Sequence, residues 1–492
     1  MEKYERMNTH KRRTFIRNSV AGLGAMASLN AFARAAAAQK YNVLFIMTDQ
    51  HNAHALGCYG STEVQTPNMD RIAREGVLFE NAFCQTGQCC PSRYSIWTGK
   101  YARSHGLYNN GMMENVAEET VGDCFSKAGY VTGSIGKHHM HMDDVKDKHG
   151  FQHVIDKPQY NVFVKKEGAP NFSKDGQWLD GPAPGRSNVG ISDADNDHHP
   201  AGYWTNQTLK FLNEHQTENF CLWYSFYGPH TPLTPSRPWA TMYDPKSLTL
   251  PPNHKYDYDL NVPNMIGLQT KSGTYGPGQH QETLAAYYGL TTQIDYNIGR
   301  VLDELDKLDL VNNTIVVYTA DHGEMMSEHG AWTKGGLGCD ATMRVPLLFR
   351  LPGVLPTGKR INDLVALIDL LPTMLELTDQ PIPGKVQGKS LVAQMQGKNS
   401  QPRQAVFGEN GDPTSKGHSV MARTATHKYV QYRDKDAMTY EQLFDLQADP
   451  WEMRDLARQP AHRSKLKDMK AVLADWEAKT ERKPVPPGKR DQ

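Results

Sequence analysis

The sequence predicts an α/β fold: a large mixed, mostly parallel sheet flanked by helices, with a smaller C-terminal antiparallel sheet subdomain. Three observations predict it. Continuous apolar runs of strand length recur along the chain, helical patterns lie between them, and beyond a Pro- and Gly-bearing break the runs become short and closely spaced.

The first run is Asn42-Val43-Leu44-Phe45-Ile46-Met47, ending at Thr48-Asp49-Gln50, and similar runs follow at 220–226, 314–319 and 345–351. Runs without alternation suit strands buried on both faces, as in a parallel sheet. Helical patterns at 68–75, 121–128 and 283–308 separate them; in the last, Ala286, Leu290, Ile294, Ile298 and Leu302 recur near helical spacing. Residues 157–200 and 273–280 are rich in Gly, Pro and polar residues and read as long loops on the rim of a crevice. A composition shift at 381–397 divides a domain at 39–385 from a C-terminal α+β subdomain at 386–492. There, 405–407, 419–423 and 428–433 read as short antiparallel strands and 460–477 as a final helix.

Length and composition narrow the function. A chain of 492 residues is long enough to bury a large core. Apolar residues make up 38% and charged residues 22%, which argues against a disordered or fibrous protein. Lys plus Arg (54) balance Asp plus Glu (54), and no basic run follows the first residues, so no nucleic-acid or membrane-surface partner is expected. Lys11-Arg12-Arg13-Thr14-Phe15-Ile16-Arg17 sets a twin arginine before a modest apolar stretch and the alanines at 35–38. A membrane span takes about 20 strongly apolar residues, and this stretch falls short. Residues 1–38 therefore read as a twin-arginine export signal, making the mature chain periplasmic or secreted, and no later segment reads as a span. The seven cysteines are irregularly spaced and include no pair of CxxC motifs, which argues against a disulfide scaffold or structural zinc. Their odd number leaves at least one outside any internal pairing.

Three predicted strands end in polar residues: Asp49, Pro229-His230 and Asp321-His322. Ligands in such folds bind outside the carboxyl ends of strands, so these side chains can meet in one crevice. The most specific string is Cys89-Cys90-Pro91-Ser92-Arg93. Pro is favoured at a first helical position, where its missing N–H costs nothing. Cys89 then stands just ahead of a helix N-terminus, where backbone N–H groups and the helix dipole favour anions. Arg93, four residues on, can bind an anion beside Cys89, and a thiol so placed is activated. The plainer alternative is a buried cysteine pair at a helix start.

This string, with Thr98-Gly99 after it, resembles the signature of the type I sulfatases of the alkaline phosphatase superfamily, in which the first cysteine is oxidised to formylglycine. Other segments resemble the family's motifs in the expected order: Asn42 to Asp49, Gly136-Lys137-His138-His139, Pro229-His230-Thr231-Pro232, and Asp321-His322-Gly323-Glu324 with Lys334. Leu443-Phe444-Asp445-Leu446 through Asp449-Pro450-Trp451-Glu452 resembles its C-terminal segment, so the likeness spans essentially the whole mature chain.

The resemblance implies a sulfatase matured by a formylglycine-generating enzyme, and the aromatic-bearing rim loops of an exported sulfatase suit a sulfated carbohydrate as substrate. It implies a metal site of Asp49, Gln50, Asp321, His322 and the oxidised Cys89, holding Ca²⁺. Asp49 and Asp321 are hard oxygen ligands, suited to Ca²⁺ or Mg²⁺; Gln50 replaces the family's usual second aspartate, and His322 its usual asparagine with a nitrogen that admits Mn²⁺. Hydrated formylglycine would attack sulfur, with His230 and Lys334 serving the leaving alcohol and Lys137 and Arg93 holding the anion. His139 would then take the proton of the second hydroxyl and expel sulfate. A sulfate ester is itself an anion, so a cation with Lys and Arg groups must neutralise charge for attack to occur. His138 and His141 extend the His139 cluster without a closed ligand set, and His198-His199 reads as a solvated loop pair. Tyr160, Trp178, Tyr203, Trp204 and Trp239 suit contact with sugar rings or core packing. Two other functions fit the same residues: a phosphonate monoester or phosphodiester hydrolase of the superfamily, and a non-catalytic carbohydrate-binding relative.

Overall fold

Every side chain of Asn42–Asp49 is buried, and this segment forms β1 near the middle of a mixed sheet in the computed structural model. The structure describes residues 41–112, 117–140, 149–172, 176–178, 189–254, 278–334 and 338–485. The export signal read at 1–38, His141, residues 273–277 and most of 173–188 lie outside the described residues. The remaining strands are β2 (Val77–Phe83), β3 (Val131–Gly136), β4 (His153–Ile155), β5 (Gly176–Trp178), β6 (Gly190–Ser192), β7 (Phe220–Pro229) and β8 (Thr314–Ala320). They continue with β9 (Arg344–Val345), β10 (Leu347–Arg350), β11 (Lys359–Ala366), β12 (Ala405–Asn410), β13 (Lys416–Thr424), β14 (His427–Asp434) and β15 (Ala437–Asp445).

Nine strands build the main sheet in the order β11-β2-β10-β8-β1-β7-β3-β4, with β9 beside β2. The expectation of a mixed, mostly parallel sheet with a separate C-terminal antiparallel sheet holds. The β1, β7, β8, β3 and β4 pairings are parallel, while β10 runs antiparallel to β8 and β2. The run read at 345–351 is therefore divided and partly reversed. Pro346 has no N–H for a ladder, and it separates β9 from β10.

Alternate residues of a strand face opposite sides, and both sides of β1 are covered. Leu44 and Ile46 share one core with Ile298 and Leu302 of the long helix Gln279–Lys307. On the other face Phe45 stacks on Trp223 of β7 at 4.0 Å, and Trp97 of the helix Cys89–Thr98 meets the same Trp223 edge-on at 5.7 Å. The expected rim loop begins and ends in helix. Lys157–Glu167 is a helix opened by a capping box of Asp156 and Gln159. Pro200–Glu214 is a second, started by the side chain of His199, so this histidine is buried rather than solvated.

β12 to β15 form an antiparallel meander in chain order. The helix Arg463–Lys479 packs on it through Trp476, which stacks on Phe407 at 5.0 Å. Asn410, ending β12, accepts a hydrogen bond from the N–H of Gly87 at 2.6 Å and so braces the turn that leads into Cys89. Among the described residues no helix is long and apolar enough to cross a membrane.

Candidate functional site

Four adjacent parallel strands, β8, β1, β7 and β3, end on one side of the sheet, with Thr48 level with Ala320, Asp49 with Pro229 and Gly136 with Ser225. That register delivers Asp321 and His322, Asp49 and Gln50, His230, and Lys137 to one crevice. The turn out of β3 requires glycine. Gly136 sits at φ +96°, and a Cβ there would lie 1.8 Å from the carbonyl oxygen of Ser225.

Cys89 is the first residue of its helix, after Gln88 at the N-cap position, so Pro91 occupies the third helical position rather than the first. The first four N–H groups of a helix lack intrahelical partners, so proline is harmless there too. The N–H of Cys90 is met by the side chain of Asn110 at 3.0 Å, and Gly99 closes the helix in a left-handed conformation. All ten residues of the helix are buried, which fixes Cys89 at the floor of the crevice.

Around the Sγ of Cys89 stand the Nζ of Lys334 at 2.9 Å, Nε2 of His322 at 3.2 Å, Oδ1 of Asp49 at 3.7 Å and Nζ of Lys137 at 3.9 Å. This sulfur marks the place of the oxygen that an oxidised residue 89 would carry. Behind it, Arg93 is fully buried. Its Nε donates to Asp321 at 2.8 Å and one terminal nitrogen donates to Asp49 at 3.0 Å. The other terminal nitrogen donates to the Lys137 carbonyl at 2.6 Å and to Ser225 Oγ at 2.8 Å. The guanidinium is thus engaged by protein groups, and it ties the two carboxylates together. Lys137 adds a 2.5 Å ion pair to Asp49.

The charges of the site act on one another. Burial would raise the Asp49 carboxyl, but Lys137, His230, Lys334 and Arg93 outweigh it and hold this group well below the usual carboxylate range. Asp321 is pushed upward by burial and by Asp49, against His322 and Arg93. Burial and Asp49 push the Cys89 thiol up, yet Lys137, Lys334 and His322 bring it well below its ordinary value. Lys334 is raised despite burial, by Cys89, Asp49 and Asp321, so it is a firm cation.

Asp49, Cys89, Asp321 and His322 offer ligand atoms within 4.8 Å of one another. The Nδ1 of His322 lies 2.8 Å from the Gly323 carbonyl, which can only accept, so Nδ1 carries the hydrogen and Nε2 faces the centre as a lone pair. Burial and Lys334 oppose protonation of His322 while Asp321 and Cys89 favour it, and the net pull is upward. The ammonium of Lys334, 3.2 Å from Nε2, can only donate, so in this arrangement Nε2 accepts. Two carboxylates, of which Asp49 disfavours the ionisation of Asp321, with an amide oxygen and an imidazole lone pair make a donor set that fits a divalent cation.

His230 follows the end of β7, its Nδ1 2.6 Å from the Thr231 carbonyl. Burial lowers it to about 4, although Asp49 pulls the other way. His139 is tied to the next cysteine: its backbone is left-handed (φ 58°) and its carbonyl accepts from Cys90 Sγ at 2.7 Å. Its Nδ1 is buried without a hydrogen-bond partner among the described residues. His138 turns away, bonding Ser134 at 2.6 Å, and burial lowers it to about 4.

Lys137 and His230 also face a cavity of about 430 Å³ whose walls include Tyr160, Phe172, Trp204 and Tyr227. His199 and Lys157 border it as well. Tyr203 is core, and Trp239 packs on Tyr296 at 5.2 Å. The side chain of Trp178 lies outside the described residues. The sequence reading passed over Tyr227 and Ser225. Tyr227 donates to Asp156 at 2.5 Å while the Lys137 ammonium lies 5.5 Å from its ring centre, so it steadies that lysine. Their only signal is position, at the end of a strand that leads to Pro229-His230.

The chain matches the sulfatase family model over residues 41–380 and the model of the N-sulphoglucosamine sulphohydrolase C-terminal region over 327–479. It is 30% identical over 468 residues to an arylsulfatase of Clostridium perfringens, covering 88% of this chain and 94% of the relative. An N-acetylglucosamine-6-O-sulfatase of Bacteroides thetaiotaomicron is 24% identical over 502 residues, covering 88% and 86%. Among solved structures, a phosphonate monoester hydrolase of Silicibacter pomeroyi superposes with a TM-score of 0.78 at 26% identity, covering 92% of this chain and 99% of that one.

Proposed function

The chain belongs to the sulfatase family, and from that premise we propose that it removes sulfate from sulfated glycans through a formylglycine derived from Cys89 and a divalent cation. It is a sulfuric ester hydrolase. One observation carries that reading: two lysines, a histidine and an aspartate converge within 4 Å of the one side chain that the family oxidises.

The cation would be held by Asp49, Gln50, Asp321, His322 and residue 89, with calcium favoured, magnesium served by the same oxygen donors and manganese admitted by the histidine nitrogen. When present, formylglycine supplies a nucleophilic hydroxyl and the cation supplies positive charge at the sulfate. The protein's own groups do the rest. Lys137 and Lys334 offset the negative charge of the ester, in a site dry enough for their charge to act strongly. Arg93 ties Asp49 and Asp321 together and aligns them. His230 stands between the centre and the cavity, where the alcohol leaves. The aromatic walls of that cavity suit a sugar ring, which packs its C–H faces on aromatic planes. The N-acetylglucosamine-6-O-sulfatase among its relatives supports a sulfated sugar. Maturation by a formylglycine-generating enzyme, export by a twin-arginine signal at 1–38, and a division into parts at 39–385 and 386–492 belong to the same proposal.

Gln50 and His322 favour one second reading, hydrolysis of phosphonate monoesters or phosphodiesters, and the likeness to the Silicibacter pomeroyi enzyme adds to it. The deciding experiment has two parts on matured protein. Mass analysis of the peptide containing residue 89 is expected to find an aldehyde there and a thiol at Cys90. Turnover of a glucosamine 6-sulfate, an aryl sulfate and an aryl phosphonate ester is expected to favour the sulfates. An intact Cys89 thiol in active protein, or a preference for phosphonate, overturns the reading.

A further inference from the structure

Gln50 has two ends with different partners. Its Oε1 accepts from the Lys334 ammonium at 2.9 Å, on the side of Cys89 and His322. Its Nε2 donates to Oε2 of Glu324. Both residues are buried, Gln50 1% and Glu324 3% exposed. The other oxygen of Glu324 accepts from the backbone N–H groups of Thr333 and Met326, the latter at 3.3 Å. Those bonds hold the carboxylate still at the base of the segment that carries Lys334. The backbone of Gln50 is held as well: its N–H donates to Asp321 at 3.0 Å and its carbonyl accepts from Tyr287 at 2.8 Å.

An amide can be turned end for end with little change of shape, and nothing in its own chemistry chooses the orientation. Its surroundings choose here. A carboxylate can only accept and an ammonium can only donate, so one end must be nitrogen toward Glu324 and the other oxygen toward Lys334. Turned round, the side chain would set oxygen against carboxylate and N–H against ammonium, both in a buried place where unmet polar groups cost most. We propose that Glu324 is a positioning residue that fixes the Gln50 amide with its oxygen toward the metal centre. This rests on the proposed metal site. It concerns a residue that reaches the centre only through another side chain.

The test is calcium binding by the full chain, stripped with a chelator and titrated calorimetrically with calcium alone. Glu324→Gln keeps an oxygen for Thr333 and Met326 but presents N–H to Gln50, which must then turn its own nitrogen toward Lys334. Calcium affinity is expected to fall roughly 10- to 100-fold, the usual effect of losing a partner that orients a ligand. The exchanged pair Gln50→Glu with Glu324→Gln restores a donor–acceptor match with an oxygen facing inward, and is expected to bind calcium at least as tightly as the unaltered protein. If Glu324→Gln does not fold, the exchanged pair decides alone. Unchanged affinity in a folded Glu324→Gln variant, or weak binding by a folded exchanged pair, overturns the inference. Failure of the unaltered protein to bind calcium would instead remove the calcium site itself.

Discussion

The ammonium of Lys334 and the Sγ of Cys89, 245 positions apart in sequence, meet at 2.9 Å. The same nitrogen lies 2.9 Å from the Gln50 amide oxygen and 3.2 Å from the His322 lone pair. A positive charge thus stands where three electron-rich atoms converge. Against its burial, Cys89, Asp49 and Asp321 hold it above the usual lysine range. Lys334→Ala is expected to lower kcat by roughly 10²–10³-fold, the scale of losing one fixed charge-stabilising donor. The aldehyde at residue 89 should form normally, as mass analysis would check. Near-normal kcat in fully matured Lys334→Ala would place this lysine outside the reaction.

The two aspartates are expected to differ in what their loss does to the fold. Asp49 pairs with both Arg93 at 3.0 Å and Lys137 at 2.5 Å, whereas Asp321 pairs with Arg93 at 2.8 Å and not with Lys137. Removing one partner of a buried ion pair leaves an uncompensated charge, a loss of about 3–5 kcal/mol. Asp49→Ala strands Lys137 and leaves Arg93 half-paired, whereas Asp321→Ala leaves Arg93 half-paired and takes a carboxylate from beside His322. Both variants should lose calcium binding and turnover, and chelation of the unaltered protein should abolish turnover. Thermal denaturation of metal-free protein should put Asp49→Ala lower in Tm than Asp321→Ala. The reverse order would mean that Arg93 and Lys137 are not held mainly by Asp49.

Much of this centre was legible because β1, β7 and β8 are buried on both faces and write themselves as unbroken apolar runs. Each is followed at once by the polar residues it delivers. β15 was missed because its first residues are exposed, and its polar, alternating text looks like loop. The helix Lys157–Glu167 was missed although its capping box, Asp156 with Gln159, stood in the sequence, because Gly- and Asp-rich text follows it. Glu324 and Tyr227 could not be assigned roles from sequence at all. Glu324 acts on Gln50, 274 positions away, and Tyr227 on Asp156 and Lys137, so only the fold gives those contacts meaning.

Stability should fall steeply in mild acid. His51, His105, His138 and His199 are buried and neutral, lowered by burial to about 4, 3, 4 and 3. Between those values and the ordinary histidine value the unfolded chain takes up protons that the folded chain refuses. Stability therefore rises with pH across that window and is fully present above about pH 6.5. Each such group contributes a slope of up to about 1.4 kcal/mol per pH unit. The Tm of metal-free protein, scanned from pH 7 to 4 in about half-unit steps, should drop throughout. A flat profile would mean that these rings are charged or solvated in the folded chain.

The remaining pair to separate is His230 and His139, which the proposed reaction uses at different times. His230 borders the cavity that would take the alcohol, and its Nδ1–H is committed to the Thr231 carbonyl, so only Nε2 is open for proton exchange. In the free protein it is neutral near pH 7, being lowered to about 4 by burial. It must gain a proton before it can serve as an acid, and an anionic ester bound beside it favours that gain. An acid matters in proportion to how badly the leaving group needs its proton. His230→Ala should therefore slow a sugar sulfate by roughly 10²–10⁴-fold and an activated aryl sulfate far less. His139 lies instead beside Cys90, with a buried Nδ1 that has no hydrogen-bond partner among the described residues. If it removes the proton that lets sulfate go, its loss acts after the alcohol has left. The two substrates are then no longer different, and both should slow equally in the steady state. Rapid mixing should show one equivalent of alcohol released per enzyme before the slow phase. A His139→Ala variant that spares the aryl substrate and shows no such burst would require the two roles to be exchanged.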